Sequence, residues 1–227
     1  MGRLAVILGS GASGPGGAEV AAAAGRHAVV LQRHGPASAY VLPHRIDHAA
    51  NLRSLAEAGC DRLLAICSVG SLDADLGVGS FVCPHDFIAL QATVTTYDDQ
   101  RGHAMPGFDP AWRTAVLAAW EESGAGPLRD GGVYWQTNGP RFETPAEIGL
   151  IAAHADLVGM TLAAECIVAG ELGLPYAAVC VVDNLANGIE AQPLSPAELE
   201  RHRATNASRL HDDLAAALPV LAGRAGA

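Results

Sequence analysis

The chain has no lysine; all fourteen of its basic residues are arginine. That excludes Schiff-base chemistry, a lysine general base and the lysine of a phosphate-binding loop. Cysteine is sparse as well. The five present (Cys60, Cys67, Cys83, Cys166, Cys180) are odd in number, lack paired spacing and sit in apolar contexts. They read as reduced core thiols of a cytoplasmic protein rather than as a disulfide framework. No uninterrupted apolar stretch is long enough to span a membrane. The opening MGRLAVILGSG is too short for a secretory signal and reads as a buried strand entering a turn. No internal repeat or linker divides the chain. With 24 acidic residues and a formal net charge of -10, the chain repels phosphate backbones, which argues against a nucleic-acid partner. A small anionic substrate stays compatible, because a few local donors outweigh a diffuse negative field. Half of the 227 residues are hydrophobic and 17% are charged, the profile of one well-buried α/β domain.

Short apolar runs alternate with alanine-rich helical patterns. Strands are predicted at Arg3–Leu8, His27–Gln32, Arg62–Cys67, Gly132–Trp135 and Tyr176–Val182, with a further run at Phe81–Leu90 whose middle Pro84 weakens. Helices are predicted at Ala49–Ala58 with Gly59 as stop, Pro110–Ser123, Pro145–Ala153, Ala163–Leu172 and Pro196–Leu218 with Pro219 after it. Gly9–Gly25 is close to low complexity, and residues 223–227 are expected to fray. Alternating strands and helices imply a mostly parallel sheet. Several strands end in small or polar residues: Ser10, Arg33-His34, Ser68 and Asn184. Ligands of open α/β sheets bind beyond such strand ends.

Gly9-Ser10-Gly11 offers backbone N–H groups and a hydroxyl to an anion, though a plain glycine turn explains it equally well. The G-S-G-A-S-G spacing fits a dinucleotide fingerprint by count alone. The acidic residue such a site requires is absent around Val29–Arg33. Arg33-His34-Gly35 ends a strand with a planar donor fork and an imidazole, which suit phosphate or simply a surface. In Asn138–Glu147, Thr144 or Glu143 can cap the helix beginning at Pro145, with Glu147 in its first turn. Capping does not require Phe142-Glu143, an aromatic beside a carboxylate that can stack a flat ring and accept a ring N–H. Thr161 in Val158-Gly159-Met160-Thr161 is a core hydroxyl or a ligand. Asp183-Asn184 is a turn, a cap or a polar pair at the end of a strand.

Together these segments resemble the trimeric branch of the purine nucleoside phosphorylases, which includes the methylthioadenosine and methylthioinosine phosphorylases. The resemblance is carried by RHG at Arg33–Gly35, PHRIDHAANLRSLAEAGCDRLLAICSVGSL from Pro43 to Leu72, and GVGSFVCPHDFI from Gly77 to Ile88. It continues through GVYWQTNGPRFETPAEI from Gly132 to Ile148, LVGMTLAAE from Leu157 to Glu165, and ELGLPYAAVCVVDNLANG from Glu171 to Gly188. GPRFETPAE and GMT are its specific parts. It implies one domain over residues 1–227, an α/β sandwich with a mixed, partly barrel-like central sheet. It places Ser10, Arg33, His34, Ser68 and Thr161 at phosphate, Met160 under the ribose, Phe142 beside the base, and Glu143 and Asn184 at the purine edge. His103 falls in a loop lent to a neighbouring subunit, so a trimer or a dimer of trimers is expected. The chain departs from the family pattern in three places. The segment between Gly11 and Arg33 is short, Pro36-Ala37-Ser38-Ala39-Tyr40 replaces a stretch containing histidine, and Ala164 replaces proline before Glu165.

The implied reaction is phosphorolysis, with inorganic phosphate as co-substrate and no metal or organic cofactor; Asn184, Glu143 and His34 are its catalytic candidates. Glu143 can accept the N1–H of a 6-oxopurine, and Asn184 can donate to O6 and accept from N7–H. Asp183 beside it is unusual and is a second candidate at the base. Pro196, where a histidine is expected to meet a 5′-hydroxyl, favours an apolar 5′ group as in 5′-methylthioinosine. Three alternatives stay open: a methylthioadenosine phosphorylase, a nucleosidase that uses water, and a non-catalytic purine-binding relative.

Overall fold

In the computed structural model, which describes residues 2–10, 17–190 and 195–224, strand β1 (Arg3–Leu8) shows how the core is built. Successive side chains of a strand point to opposite faces. Leu4, Val6 and Leu8 join one apolar cluster with α1 (Gly17–Gly25), α3 (Pro110–Glu122) and α6 (Pro196–Gly223). Ala5 and Ile7 join another, with α2 (His48–Glu57) and α5 (Leu162–Glu171). A strand covered on both faces needs no polar alternation, which is why residues 4–8 read as a continuous apolar run.

The described residues contain nine strands. After β1 come β2 (Val29–Gln32), β3 (Cys60–Ser71), β4 (Phe81–Cys83), β5 (Asp86–Ile88), β6 (Leu128–Asp130), β7 (Val133–Gln136), β8 (Leu157–Gly159) and β9 (Tyr176–Leu185). β3 is the hub. It pairs in parallel with β1 over its first half, antiparallel with β8 at Gly70 and Ser71, and in parallel with β9 along most of its length. One arm continues from β8 to β7 and β5, the other from β9 to β4 and β6. β4 and β5 lie in different arms yet are separated by only Pro84 and His85, so the sheet must curl to bring its arms together. The result is the mixed, partly barrel-like α/β sandwich that the resemblance implies.

Several boundaries differ from the sequence reading. Phe81–Leu90 is two short strands, because Pro84 cannot donate to a ladder. β3 runs on through Ser68 to Ser71, and β9 through Asp183-Asn184 to Leu185, because their parallel pairing continues. Those polar residues therefore lie within strands, not beyond them. The pairing slips once: Val69 faces Val182 but Gly70 faces Asn184, leaving Asp183 as the extra residue of a bulge. α6 passes through Pro219 and ends at Gly223; buried Leu221 keeps that last turn against the core. α1 lies in the stretch read as low complexity, and β6 and β8 were not foreseen. Most of the glycine turn after Ser10, residues 11–16, lies outside the described residues, as do residues 225–227 of the expected frayed tail.

Candidate active site

One cleft, of about 960 Å³ including the part open to solvent, lies over the carboxyl ends of β1, β2, β3 and β9. Its walls bring together Ser10, Arg33, His34, Ser68, Phe142, Glu143, Met160, Thr161 and Asn184. These come from distant parts of the chain, and the parallel order β2-β1-β3-β9 collects four of the contributing segments at one end of the sheet. Three of the proposed residues are not in its lining. Asp183 is buried behind Ser68 in a small second cavity. Pro196 is exposed at the first position of α6, where its fixed φ suits a helix start. His103 is exposed and lies at the end of a 3-10 turn outside the cleft.

At one end of the cleft, Arg33 is buried and its fork is already engaged. Nε and Nη2 donate to the two carboxylate oxygens of Glu165 at 2.6 and 2.8 Å, and Nη1 donates to the Ile66 carbonyl at 3.0 Å. Glu165 also accepts from the Tyr176 hydroxyl at 2.8 Å. Burial opposes the guanidinium charge, but Cys67 and Glu165 offset it and hold its pKa well above the ordinary value. His34 stacks on Tyr40, with ring centroids 4.7 Å apart and planes 6° apart. Its Nδ1 lies 2.8 Å from the Val41 carbonyl. A carbonyl only accepts, so Nδ1 carries the proton and Nε2 is a lone pair in the neutral ring. Burial pushes the His34 pKa down. Thr161 is the N-cap of α5, yet its hydroxyl makes no capping bond. The Thr161 and Leu162 N–H groups point to the Tyr134 hydroxyl at 3.3 and 3.5 Å.

At the other end, Glu143 accepts from the Thr137 hydroxyl at 2.6 Å, and Asn187 holds the Glu143 carbonyl at 2.9 Å. Glu143 does not cap α4 (Pro145–Ile151); Thr144 does, in a capping box with Glu147. Arg141 grips Glu147 at 2.7 and 2.8 Å and drives its pKa down to about 2. The segment thus divides: Arg141, Thr144 and Glu147 build the helix start, while Glu143 and half-exposed Phe142 face the cleft. Asn184 Nδ2 donates to the Leu185 carbonyl at 2.9 Å, which fixes its side chain at the cleft wall. Gly139 has φ +61°, and a Cβ there would collide with the Met160 sulfur, so glycine lets Met160 reach the cleft.

Sequence reasoning missed Tyr40, Glu165 and Arg203 as parts of this region. Arg203 lines both cavities. The signal for it was present: Leu199, Arg203, Asn206 and Leu210 follow the 3–4 spacing of the buried face of α6, so a charge interrupts an apolar stripe.

The fold and cleft define a class known from sequence comparison. The Phosphorylase superfamily profile matches residues 10–219. A probable 6-oxopurine nucleoside phosphorylase of Archaeoglobus fulgidus is 42% identical over 178 residues, covering 78% of this chain and 73% of that protein. One from Moorella thermoacetica is 34% identical over 241 residues, covering 96% and 92%. A probable S-methyl-5′-thioinosine phosphorylase of Methanothermobacter thermautotrophicus is 37% identical over 173 residues, covering 75% and 60%. Methylthioadenosine phosphorylase from Schistosoma mansoni in complex with adenine has the same fold, with a TM-score of 0.81 at 20% identity over 99% of this chain and 93% of that one. The chain belongs to the Phosphorylase superfamily.

Proposed function

We propose that this protein cleaves a purine nucleoside with inorganic phosphate, giving the free base and a ribose 1-phosphate derivative. The observation that carries this is the gathering of Ser10, Arg33, His34, Ser68 and Thr161 at one end of a cleft that has Phe142, Glu143 and Asn184 at its other end. The relatives named as purine nucleoside phosphorylases support it. Phosphate attacks the anomeric carbon as the glycosidic bond breaks. Positive charge builds on the ribose, and negative charge on the departing purine. The bound phosphate stabilises the first; Asn184 and Glu143 stabilise the second through hydrogen bonds placed in advance, typically about 10²–10³-fold in rate each. The reaction needs no metal or organic cofactor.

Glu143 favours a 6-oxopurine, whose N1–H it can accept; a 6-aminopurine would leave a buried carboxylate facing a lone pair, at about 1–3 kcal/mol. Pro196 is not among the residues lining the cleft, whereas Leu42 and Pro43 add apolar surface to it. That surface supports a 5′-methylthio group. The best simple substrate is then 5′-methylthioinosine, ahead of inosine and well ahead of methylthioadenosine. A mismatched base costs up to roughly 10⁴-fold and a lost methylthio contact about 10–200-fold. Measuring kcat/KM for the three nucleosides with and without phosphate tests the reading. Equal turnover without phosphate would make the protein a water-using nucleosidase, and a preference for methylthioadenosine would overturn the base assignment.

The working form in this proposal is a homotrimer or a dimer of trimers, with the His103 loop completing a neighbour's site. The five cysteines are buried and unpaired, which supports a reducing, cytoplasmic setting. Among the described residues, no helix is long and apolar enough to cross a membrane.

A further inference from the structure

We infer that Asp183 is a positioning residue that sets the direction of the Ser68 hydroxyl, and that phosphate enters the site together with a proton held between them. The inference rests on the phosphorolysis reading and goes beyond it. Ser68 forms the wall between the main cleft and the small cavity behind it. A serine hydroxyl has one proton, and Ser68 donates it backwards, to Asp183 Oδ2. In that state the side of Ser68 facing the cleft has only lone pairs, which repel a phosphate oxygen. For Ser68 to serve as a phosphate donor, the bond must reverse. Asp183 must carry a proton and donate it to Ser68 Oγ, while Ser68 turns its own proton to the phosphate. The other carboxylate oxygen cannot take this role. Asp183 Oδ1 accepts from Asn206 Nδ2 at 2.7 Å, and that amide also reaches the Val182 carbonyl at 3.1 Å. The added proton therefore belongs on Oδ2. It comes from solvent or from monoanionic phosphate: the phosphate O–H bond breaks, the Asp183 Oδ2–H bond forms, the phosphate becomes the dianion as Asp183 becomes neutral, and no oxidation state changes.

The surroundings suit this exchange. From α6, Arg203 Nε approaches Asp183 to 3.9 Å without a hydrogen bond, and His202 Nδ1 lies 3.1 Å from the Asp183 backbone carbonyl. From β3 the facing groups are Ser68 and the buried Cys67. Burial outweighs these neighbours and pushes the Asp183 pKa up. On the far side of the anion end, the Arg33 charge is matched by Glu165 and His34 is held towards neutrality. Ionised Asp183 would thus add a negative charge close to the site that phosphate must enter, and protonation removes it.

Calorimetric titration of inorganic phosphate into the full chain, above neutral pH and in buffers of different ionisation heat, counts the protons taken up. The wild type should take up about one proton more than Asp183→Asn, whose amide donates to Ser68 at every pH. Phosphate affinity should also fall more steeply with pH in the wild type, by about tenfold more per pH unit. Ser68→Ala removes the hydroxyl that joins Asp183 to the phosphate and should lower the count, though by less than Asp183→Asn because the charge repulsion remains, which keeps the test decisive if Asp183→Asn does not fold. Equal proton counts in the wild type and either variant would overturn the inference while leaving phosphate-dependent cleavage intact. If phosphate neither binds nor accelerates cleavage, the phosphorolysis reading fails and this inference with it.

Discussion

Arg33 illustrates how a single buried side chain is held in one orientation. Its planar fork is held by both oxygens of Glu165 and by the Ile66 carbonyl, so its remaining N–H groups are fixed rather than searching. Glu165 is completely buried, and its charge is tolerable only because Arg33 and Tyr176 satisfy it. Glu165→Ala should therefore cost about 3–5 kcal/mol of stability, since it leaves the Arg33 charge buried without its partner. Chemical denaturation measures this, and a loss below that of an average surface substitution would contradict the argument. Arg33→Ala should lower kcat/KM for phosphate by about 10²-fold or more; unchanged kinetics would remove Arg33 from the phosphate site. The histidines add a pH dependence. Burial lowers the pKa of both His34 and His48. The folded state then binds fewer protons than the unfolded one. Their contribution is complete above the unfolded value of about 6.5 and is lost as pH falls below it. The melting temperature should drop between about pH 7 and pH 5.5, and His48→Gln should flatten that drop. An identical slope in the variant would assign the effect to other groups.

Secondary-structure elements act on the site mainly through their ends. β8 delivers Gly159-Met160-Thr161 to the start of α5, and the Tyr134 hydroxyl from β7 receives the first N–H groups there. Space is the constraint: a Cβ on Gly159 would stand 2.5 Å from that hydroxyl. Gly159→Ala should force the ring or the strand to move, costing about 1–3 kcal/mol and raising the KM for phosphate through Thr161. Adding Tyr134→Phe should recover part of the stability but not the KM. Full additivity of the two changes would show that they do not share this contact. Much of this arrangement was legible beforehand. β1 matches its predicted span because Arg3 and five apolar residues between two glycines leave few alternatives, and α3 and α5 carry caps or stops that fix their ends. The polar residues at the strand ends could be read as a site because a parallel sheet gathers such ends. The bulge at Asp183 was not legible, since it depends on how β9 registers against β3, whose Ser68 is 115 positions away in the chain. The burial of Asp183 follows from that pairing and from Asn206 and Arg203 on α6, which no local pattern brings to it. β6 and β8 were missed for a related reason: strands of three residues exist only because neighbouring strands pair with them.

On the scale of the whole molecule, one chain leaves apolar surface uncovered beside the site. Leu90 is 80% and Leu150 67% exposed, and both line a cleft with Trp135 and Ile151 that also reaches Gly139 and Glu143. Met105, 91% exposed, lies two residues from His103 in the loop that does not reach its own pocket. Exposed apolar side chains gathered next to a polar cleft mark an interaction surface more often than scattered single residues do. The proposed trimer would account for both facts, because each copy would then present its loop to the next copy's cleft. If His103 acts across such an interface, His103→Ala and Asn184→Ala lesions affect different pockets. Each variant alone should be strongly impaired. Mixed after gentle dissociation and reassembly, the two should form rings in which some pockets combine an intact Asn184 with an intact neighbouring His103, and activity should rise above the sum of the parts. Light scattering should give a mass of three or six chains, and Leu150→Glu should lower both the mass and the activity. A fully active monomer, or variants that never complement one another, would place His103 outside the reaction and leave the pocket complete within one chain.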